Sequence, residues 1–305
     1  MMAKPKTKHQ TGFNLYIEST IEQMKNAGRI RTAETYQSSL NSFRKFLSNR
    51  NVKFDEINSS LMISYESYLR NKGVTPNSSS FYMRTLRAVY NRAVEDNLTE
   101  QQYPFKHVYT GIDKTIKRAV PLWTIKRLKE MDLSQYPKLE LARDMFLFSF
   151  YTRGMSTVDM AYLKTSNLRN GMLTYRRRKT GQLLCIKWER CMEEIVAKYN
   201  PQPGGYLLPL INPSSPLSSR QQYLYSAHNI NRSLKIIGAG LGLSLPLTMY
   251  VARHSWASIA KHKNIPLSII SEGMGHHSEK TTLIYLSQLD NTAVDRANRK
   301  ILSLL

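Results

Sequence analysis

Residues 170–181, Asn-Gly-Met-Leu-Thr-Tyr-Arg-Arg-Arg-Lys-Thr-Gly, decide the fold class. Asn170-Gly171 supplies the two positive-φ positions that a type I′ turn needs, and this dipeptide is the strongest short hairpin signal a sequence can carry. Thr180-Gly181 supplies turn chemistry at the other end, and residues 183–188 offer a further apolar stretch beyond it. Three short antiparallel strands are expected, with Arg176, Arg177, Arg178 and Lys179 running into the second turn. This is the only clear β signal in the chain, and everything around it reads as helix.

Toward the N-terminus an apolar helix is expected over 139–151, preceded by a helical block that begins near Thr124, whose hydroxyl suits an N-cap. Toward the C-terminus, helices are expected near 190–199, 219–237, 250–263, 267–273 and 279–286, with a Pro/Gly loop at 201–205 and a last amphipathic segment at 292–302. The first hundred residues have their own helical periodicity, in Phe13, Ile17, Ile21 and Met24, then Tyr36, Leu40, Phe43 and Leu47. It continues in Leu61, Tyr65 and Leu69, then Phe81, Leu86, Val89 and Ala93, with turn-prone segments at 26–31, 49–55 and 73–77 between the runs. A helical domain of four helices over 1–104 follows. Periodicity then disappears, and Pro104, Gly111, Lys114, Lys117 and Arg118 mark a basic connector over 105–121 ahead of a second domain over 122–305. The fold class is therefore mainly α with a small antiparallel β-hairpin sheet.

Composition narrows the function. Two domains suit a length of 305 residues, and 41% hydrophobic residues are enough to build buried cores, which excludes wholesale disorder. Cys185 and Cys191 cannot form a disulfide framework for such a chain, the basic start carries no apolar stretch of a secretion signal, and apolar runs such as 145–151 fall far short of the roughly 20 residues that span a bilayer. A soluble protein of the reducing cytoplasm is expected. The balance of 44 Lys+Arg against 22 Asp+Glu gives a net charge of +22. It divides as +6 over 1–104, +3 over 105–121 and +13 over 122–305, so all three segments suit one extended polyanion. A membrane-surface binder would concentrate its charge in one amphipathic helix or tail instead.

Four places carry groups able to attack or polarise a phosphate. Arg153 ends the most apolar helix, where its planar fork suits bidentate phosphate binding; capping of helix carbonyls or pairing with Asp144 or Asp159 is the structural alternative. Lys179 sits at the tip of the basic hairpin, although such hairpins also make nonspecific phosphate contacts through residues like Arg176, Arg177 and Arg178. Tyr250 and Arg253 are three apart on one helix face, where core packing is the ordinary role of the aromatic. His276-His277 leads into a helix bearing Thr281, Thr282 and Tyr285. No third and fourth ligand stands at a recognised spacing from the paired histidines, so no metal site is expected. No nucleophile elbow, Walker loop or dinucleotide-type glycine loop is present, and no cofactor is expected.

Taken in order, Arg153, Lys179, Tyr250 with Arg253, His276 and Tyr285 resemble the tyrosine recombinase family, the phage-type integrases. That family runs Arg, Lys from a β-hairpin, His-x-x-Arg, His or Trp, and a nucleophilic Tyr nine residues later, which is the spacing from His276 to Tyr285. The segments Arg253-His254-Ser255, Met274-Gly275-His276 and Ile284-Tyr285-Leu286 match its local patterns, and the N-terminal domain resembles its core-binding domain. The resemblance implies a site-specific recombinase acting on double-stranded DNA without metal or ATP. It implies that Tyr285 forms a 3′-phosphotyrosyl bond, that Lys179 protonates the leaving 5′-oxygen, and that Arg153, Arg253 and His276 stabilise the transition state. It implies a homotetrameric synapse, nucleoid association, and in some systems accessory DNA-bending proteins. Two departures stand out. Tyr250 replaces the first His of His-x-x-Arg and, with an ordinary pKa of about 10, is a poor base at neutral pH. The acidic residue expected to orient the first Arg, Asp159, comes six positions on rather than three. Two alternatives stay open: a topoisomerase-like strand swiveller with the same chemistry, and a DNA-binding regulator or architectural protein that keeps the fold without cleavage.

Overall fold

The computed structural model describes residues 12–113, 119–201, 204–276, 278–286, 299 and 301–303, the side chains of Ile284 and Tyr285 excepted. Lys114, Lys117 and Arg118, His277 and most of the segment at 292–302 lie outside the described residues. The chain divides into two compact units, residues 1–115 and 116–305.

The first unit is built from α1 (Phe13–Asn26), α2 (Ile30–Phe46), α3 (Ser59–Asn71) and α4 (Pro76–Glu95). The periodic apolar residues face inward, and Phe13, Ile17, Leu40, Phe43, Tyr65, Leu86 and Tyr90 are fully enclosed. Phe43 meets both Phe13 and Tyr65 edge-on, an arrangement that the ring quadrupole favours. Asn58 caps α3 by accepting from the Leu61 amide at 3.0 Å, and Pro76 opens α4 where its missing N–H costs nothing. Phe105 and Val108, within the stretch expected to connect the domains, are buried in this same core, and Phe105 packs edge-on against Tyr90. Burying each such side chain contributes roughly 1.5–3 kcal/mol, which keeps the chain on the first unit past position 104.

The second unit comprises α5 (Leu122–Glu130), α6 (Pro137–Tyr151), α7 (Thr157–Ala161), α8 (Arg190–Ala197), α9 (Ser219–Gly240), α10 (Met249–His262), α11 (Leu267–Gly273) and α12 (Glu279–Leu286). α6 is its axis, with every residue from Ala142 to Ser149 buried and with α5, α8, α9 and α10 packed around it. A helix that is apolar on all sides belongs inside a core. Asp144 is its one buried carboxylate, 1% exposed, and is matched by Arg143 at 2.9 Å, Lys198 at 2.9 Å and the Tyr199 hydroxyl at 3.0 Å.

The sheet follows the sequence. β1 (Leu168–Arg169), β2 (Met172–Arg176) and β3 (Leu183–Lys187) pair antiparallel in that order, with Leu173 opposite Ile186 and Tyr175 opposite Leu184. Leu173, Tyr175 and Ile186 are buried while Arg176 is exposed, the period-two alternation of a half-buried strand. Asn170 and Gly171 both have positive φ, at 50° and 70°, as a type I′ turn requires. β2 stops at Arg176, because the Arg177 amide and carbonyl bond Gln182 and Gly181 and turn residues 177–182 into the hairpin tip. Among the described residues, no helix is long and apolar enough to cross a membrane.

Candidate active site

A cleft of about 690 Å³ opens beside the hairpin tip, and Arg177, Lys179, Tyr250, Arg253, His276 and Thr281 line it together with Ser156 and Gly154. Its floor is set where α6 ends. Arg153 and Gly154 take left-handed conformations, φ 61° and 79°, and the Gly154 amide bonds back to Ser149 at 2.7 Å, so the chain turns sharply out of the helix. Arg253 of α10 crosses directly over this turn, and a Cβ at Gly154 would lie only 2.7 Å from the Arg253 Cα. Arg253 donates through Nη1 to the Gly154 carbonyl at 2.9 Å and through Nη2 to the Met274 carbonyl at 2.6 Å. Nη2 also lies 3.0 Å from His276 Nε2, and His276 Nδ1 lies 2.8 Å from Thr282 Oγ1.

The N-terminus of α10 is held from α9. The Met249 amide donates to Asn231 Oδ1 at 2.9 Å, which satisfies one of the donors a helix start leaves open and fixes where Tyr250 and Arg253 emerge. Tyr250 is 60% exposed on the cleft wall and meets the buried His254 ring edge-on at 4.3 Å, so it is a surface group and not a core aromatic.

The hairpin reaches the cleft under restraint. Asp159, 4% exposed, accepts from the Arg178 amide at 2.8 Å and from the Ser156 hydroxyl at 2.6 Å. Asp159, expected to orient Arg153, here holds the backbone of the residue next to Lys179. Arg177 donates to the Gly275 carbonyl at 2.5 Å and the Met274 carbonyl at 3.3 Å, the loop that leads into His276. The Arg178 guanidinium lies over the Tyr162 ring at 3.8 Å, and exposed Arg176 bonds the Gly181 carbonyl at 3.2 Å. Lys179 is exposed at the tip and lines the cleft.

Arg153 is not among the residues that line the cleft. Its stem lies near α11, where a Cβ at Gly273 would come 3.5 Å from Arg153 Cδ and 3.0 Å from Trp256. Its charge is felt, with those of Arg177 and Arg253, at the buried hydroxyl of Tyr175, which burial and then Asp159 keep protonated. At His276 the acting cations are Arg253, Arg177 and Lys179, and together with burial, the larger effect, they hold its pKa at about 4. The ring is neutral at pH 7. Tyr285 lies on α12, one turn beyond Thr282. The cleft brings together Lys179, Tyr250, Arg253 and His276 of the residues expected from sequence; Arg177, expected as an outer DNA contact, lines it too, and Thr282 had been given no role. The signal for Thr282 was its position three residues before Tyr285 and six after His276.

Comparison with known proteins adds to this geometry. Residues 12–108 match the phage integrase SAM-like domain. Tyrosine recombinase XerA of Pyrococcus furiosus is 25% identical over 246 residues, covering 75% of this chain and 77% of XerA. Tyrosine recombinase XerD of Rhizobium meliloti is 22% identical over 298 residues, covering 92% of this chain and 93% of XerD. A lambda integrase dimer bound to a COC′ core site has the same fold, with a TM-score of 0.70 at 17% identity, over 93% of this chain and 79% of its own. A lambda integrase tetramer bound to a Holliday junction gives 0.69 at 17% identity, over 94% and 82%.

Proposed function

This chain belongs to the tyrosine recombinase family, and we propose that it is a site-specific DNA recombinase of integrase or invertase type. Its reaction cuts and rejoins DNA strands through a covalent 3′-phosphotyrosyl intermediate. One observation supports this above the others: Arg177, Lys179, Arg253 and neutral His276 converge on a single cleft beside the helix that carries Tyr285.

Tyr285 attacks the phosphorus as its phenolic proton passes to solvent water, its oxygen forms the new P–O bond, and the bond to the 5′-oxygen breaks. Lys179 supplies the proton that the leaving 5′-oxygen takes up. Charge that gathers on the nonbridging oxygens meets the Arg253 and Arg177 guanidiniums that line the cleft, and the family order assigns Arg153 to the same charge. These donors now bond the carbonyls of Gly154, Met274 and Gly275, and an arriving phosphate takes over part of that bonding. The phosphotyrosyl bond retains the energy of the phosphodiester, so religation needs neither ATP nor metal. Lambda integrase is known as a tetramer on a Holliday junction, and a homotetramer on paired DNA sites is the corresponding assembly here. The net charge of +22 serves phosphate neutralisation along both domains.

The test uses nicked duplexes taken from DNA beside the gene that contain short inverted repeats. Wild-type protein forms a covalent adduct and Tyr285→Phe forms none; an undiminished adduct with Tyr285→Phe refutes the assignment. Tyr250, which stands where the family has histidine, favours one other assignment, a DNA-binding regulator without cleavage. That protein would keep its cellular function after Tyr285→Phe and lose it on charge reversal at Arg176, Arg177 and Arg178.

A further inference from the structure

The cleft contains a hydrogen-bond chain that none of these roles uses. Arg253 Nη2 lies 3.0 Å from His276 Nε2, and a guanidinium has donors only. Nε2 therefore accepts and bears no proton. A neutral imidazole keeps one N–H, so it is on Nδ1, and at 2.8 Å it donates to Thr282 Oγ1. Thr282 is fully buried, and it stands one turn before Tyr285 in α12. The protonation pattern of the phosphate-facing ring is thus set from the helix that bears the nucleophile.

We propose that Thr282 is a positioning residue: its hydroxyl keeps the His276 proton on Nδ1, leaves the Nε2 lone pair turned to Arg253, and ties the ring to the helix of Tyr285. The proposal rests on the recombinase assignment for its catalytic meaning. In the DNA-free protein, His276 cannot donate through Nε2 to a phosphate oxygen, and Arg253 is shared between that ring and the carbonyls below it. An anion entering the cleft competes with His276 for the same guanidinium N–H. Guanidinium, imidazole and hydroxyl form one line from the phosphate site to α12, so the fit of phosphate at one end is registered at the other. The tie also explains a burial that needs explaining, since a hydroxyl placed in a dry site without a partner is costly.

Nitrogen NMR of the full-length protein labelled with 15N-histidine tests this without DNA. Two-bond couplings report which ring nitrogen bears the proton, and the seven histidines are told apart by the loss of one set in His276→Gln. Wild type shows the proton on Nδ1 of His276 at pH 7. Thr282→Ser retains that pattern, because the hydroxyl remains. Thr282→Val keeps the shape without the acceptor and shifts the tautomer ratio toward Nε2–H by about fivefold, the worth of one typical hydrogen bond. A wild-type proton on Nε2, or a Thr282→Val ratio equal to wild type, overturns the proposal. If Thr282→Val does not fold, wild type and Thr282→Ser decide it. A cleavage readout separates the two levels: Thr282→Val slows adduct formation with DNA affinity unchanged and Thr282→Ser restores it, whereas wild type lacking any adduct sinks the recombinase assignment and leaves the tautomer result standing.

Discussion

Replacing Gly154 by alanine tests how closely the two halves of the site approach. Gly154 has φ +79°, and a Cβ built there meets Arg253 Cγ at 2.6 Å and Arg253 Cα at 2.7 Å. The left-handed backbone costs an alanine about 1–2 kcal/mol. The second contact is with backbone, which cannot rotate aside, and overpacking of that kind adds about 1–3 kcal/mol. The sum is about 2–5 kcal/mol. All three tryptophans, Trp123, Trp188 and Trp256, lie in residues 116–305, so their emission follows unfolding of the second unit alone. With a urea slope of about 2 kcal/mol per M, the midpoint falls by about 1–2.5 M. Gly242→Ala is the control: Gly242 has φ +71° and nothing within 4 Å of a built Cβ, so only the conformational cost remains, about 0.5–1 M. Equal falls in the two variants would refute the close approach. At temperatures where Gly154→Ala is folded, loss of the Arg253 bond to the Gly154 carbonyl lowers its adduct yield.

Asp144→Ala leaves Arg143 and Lys198 without their buried partner and costs about 3–5 kcal/mol, read from the same tryptophan transition; a loss under about 1 kcal/mol would contradict a working ion-pair network. Lys179→Ala, at an exposed tip, changes stability by no more than about 0.5 kcal/mol but slows cleavage by about 100-fold to 10,000-fold. A substrate with sulfur at the 5′-bridging position, whose leaving group needs no proton, restores the rate, and failure to restore it removes Lys179 as the acid. His276 has its pKa depressed from 6.5 to about 4 on folding, so the unfolded chain binds the extra proton more readily. Its contribution to stability is complete above pH 6.5 and is lost as the pH falls toward 4, and His276→Gln flattens that part of the stability profile. An unchanged slope between those limits would show that the ring is not held neutral by its neighbours.

The elements that rest on local chemistry were legible in the sequence. Asn170-Gly171 allowed only a tight turn, α11 and α12 have the limits their periodicity sets, and the resemblance to the tyrosine recombinases came from five short segments in order, the nine-residue spacing from His276 to Tyr285 among them. What escaped depends on pairs distant in sequence. Asp159 read as a partner for Arg153 because the two are near in sequence, yet the hairpin, 19 residues on, brings the Arg178 amide to it. Arg177 read as one of four similar cations, and nothing local distinguishes it as the one whose guanidinium reaches the Gly275 carbonyl, 98 residues away. Phe105 and Val108 lacked periodicity with any helix, so nothing local marked them as core while Ile112 of the same stretch stays exposed. Tyr250 had core packing as its ordinary alternative beside its place in the family order, and sequence alone does not reveal that its face of α10 opens on a cleft.

The bonds from Arg177 to the carbonyls of Met274 and Gly275 splice the hairpin to the strand of chain that enters His276. A hairpin swung outward drags that connection with it, so the ammonium at the tip and the imidazole at the base travel as a coupled lever rather than as separate arms. Lengthening the tip by a residue would thus detune both ends at once, and restoring function would call for a matching change in the loop on the other side of the splice.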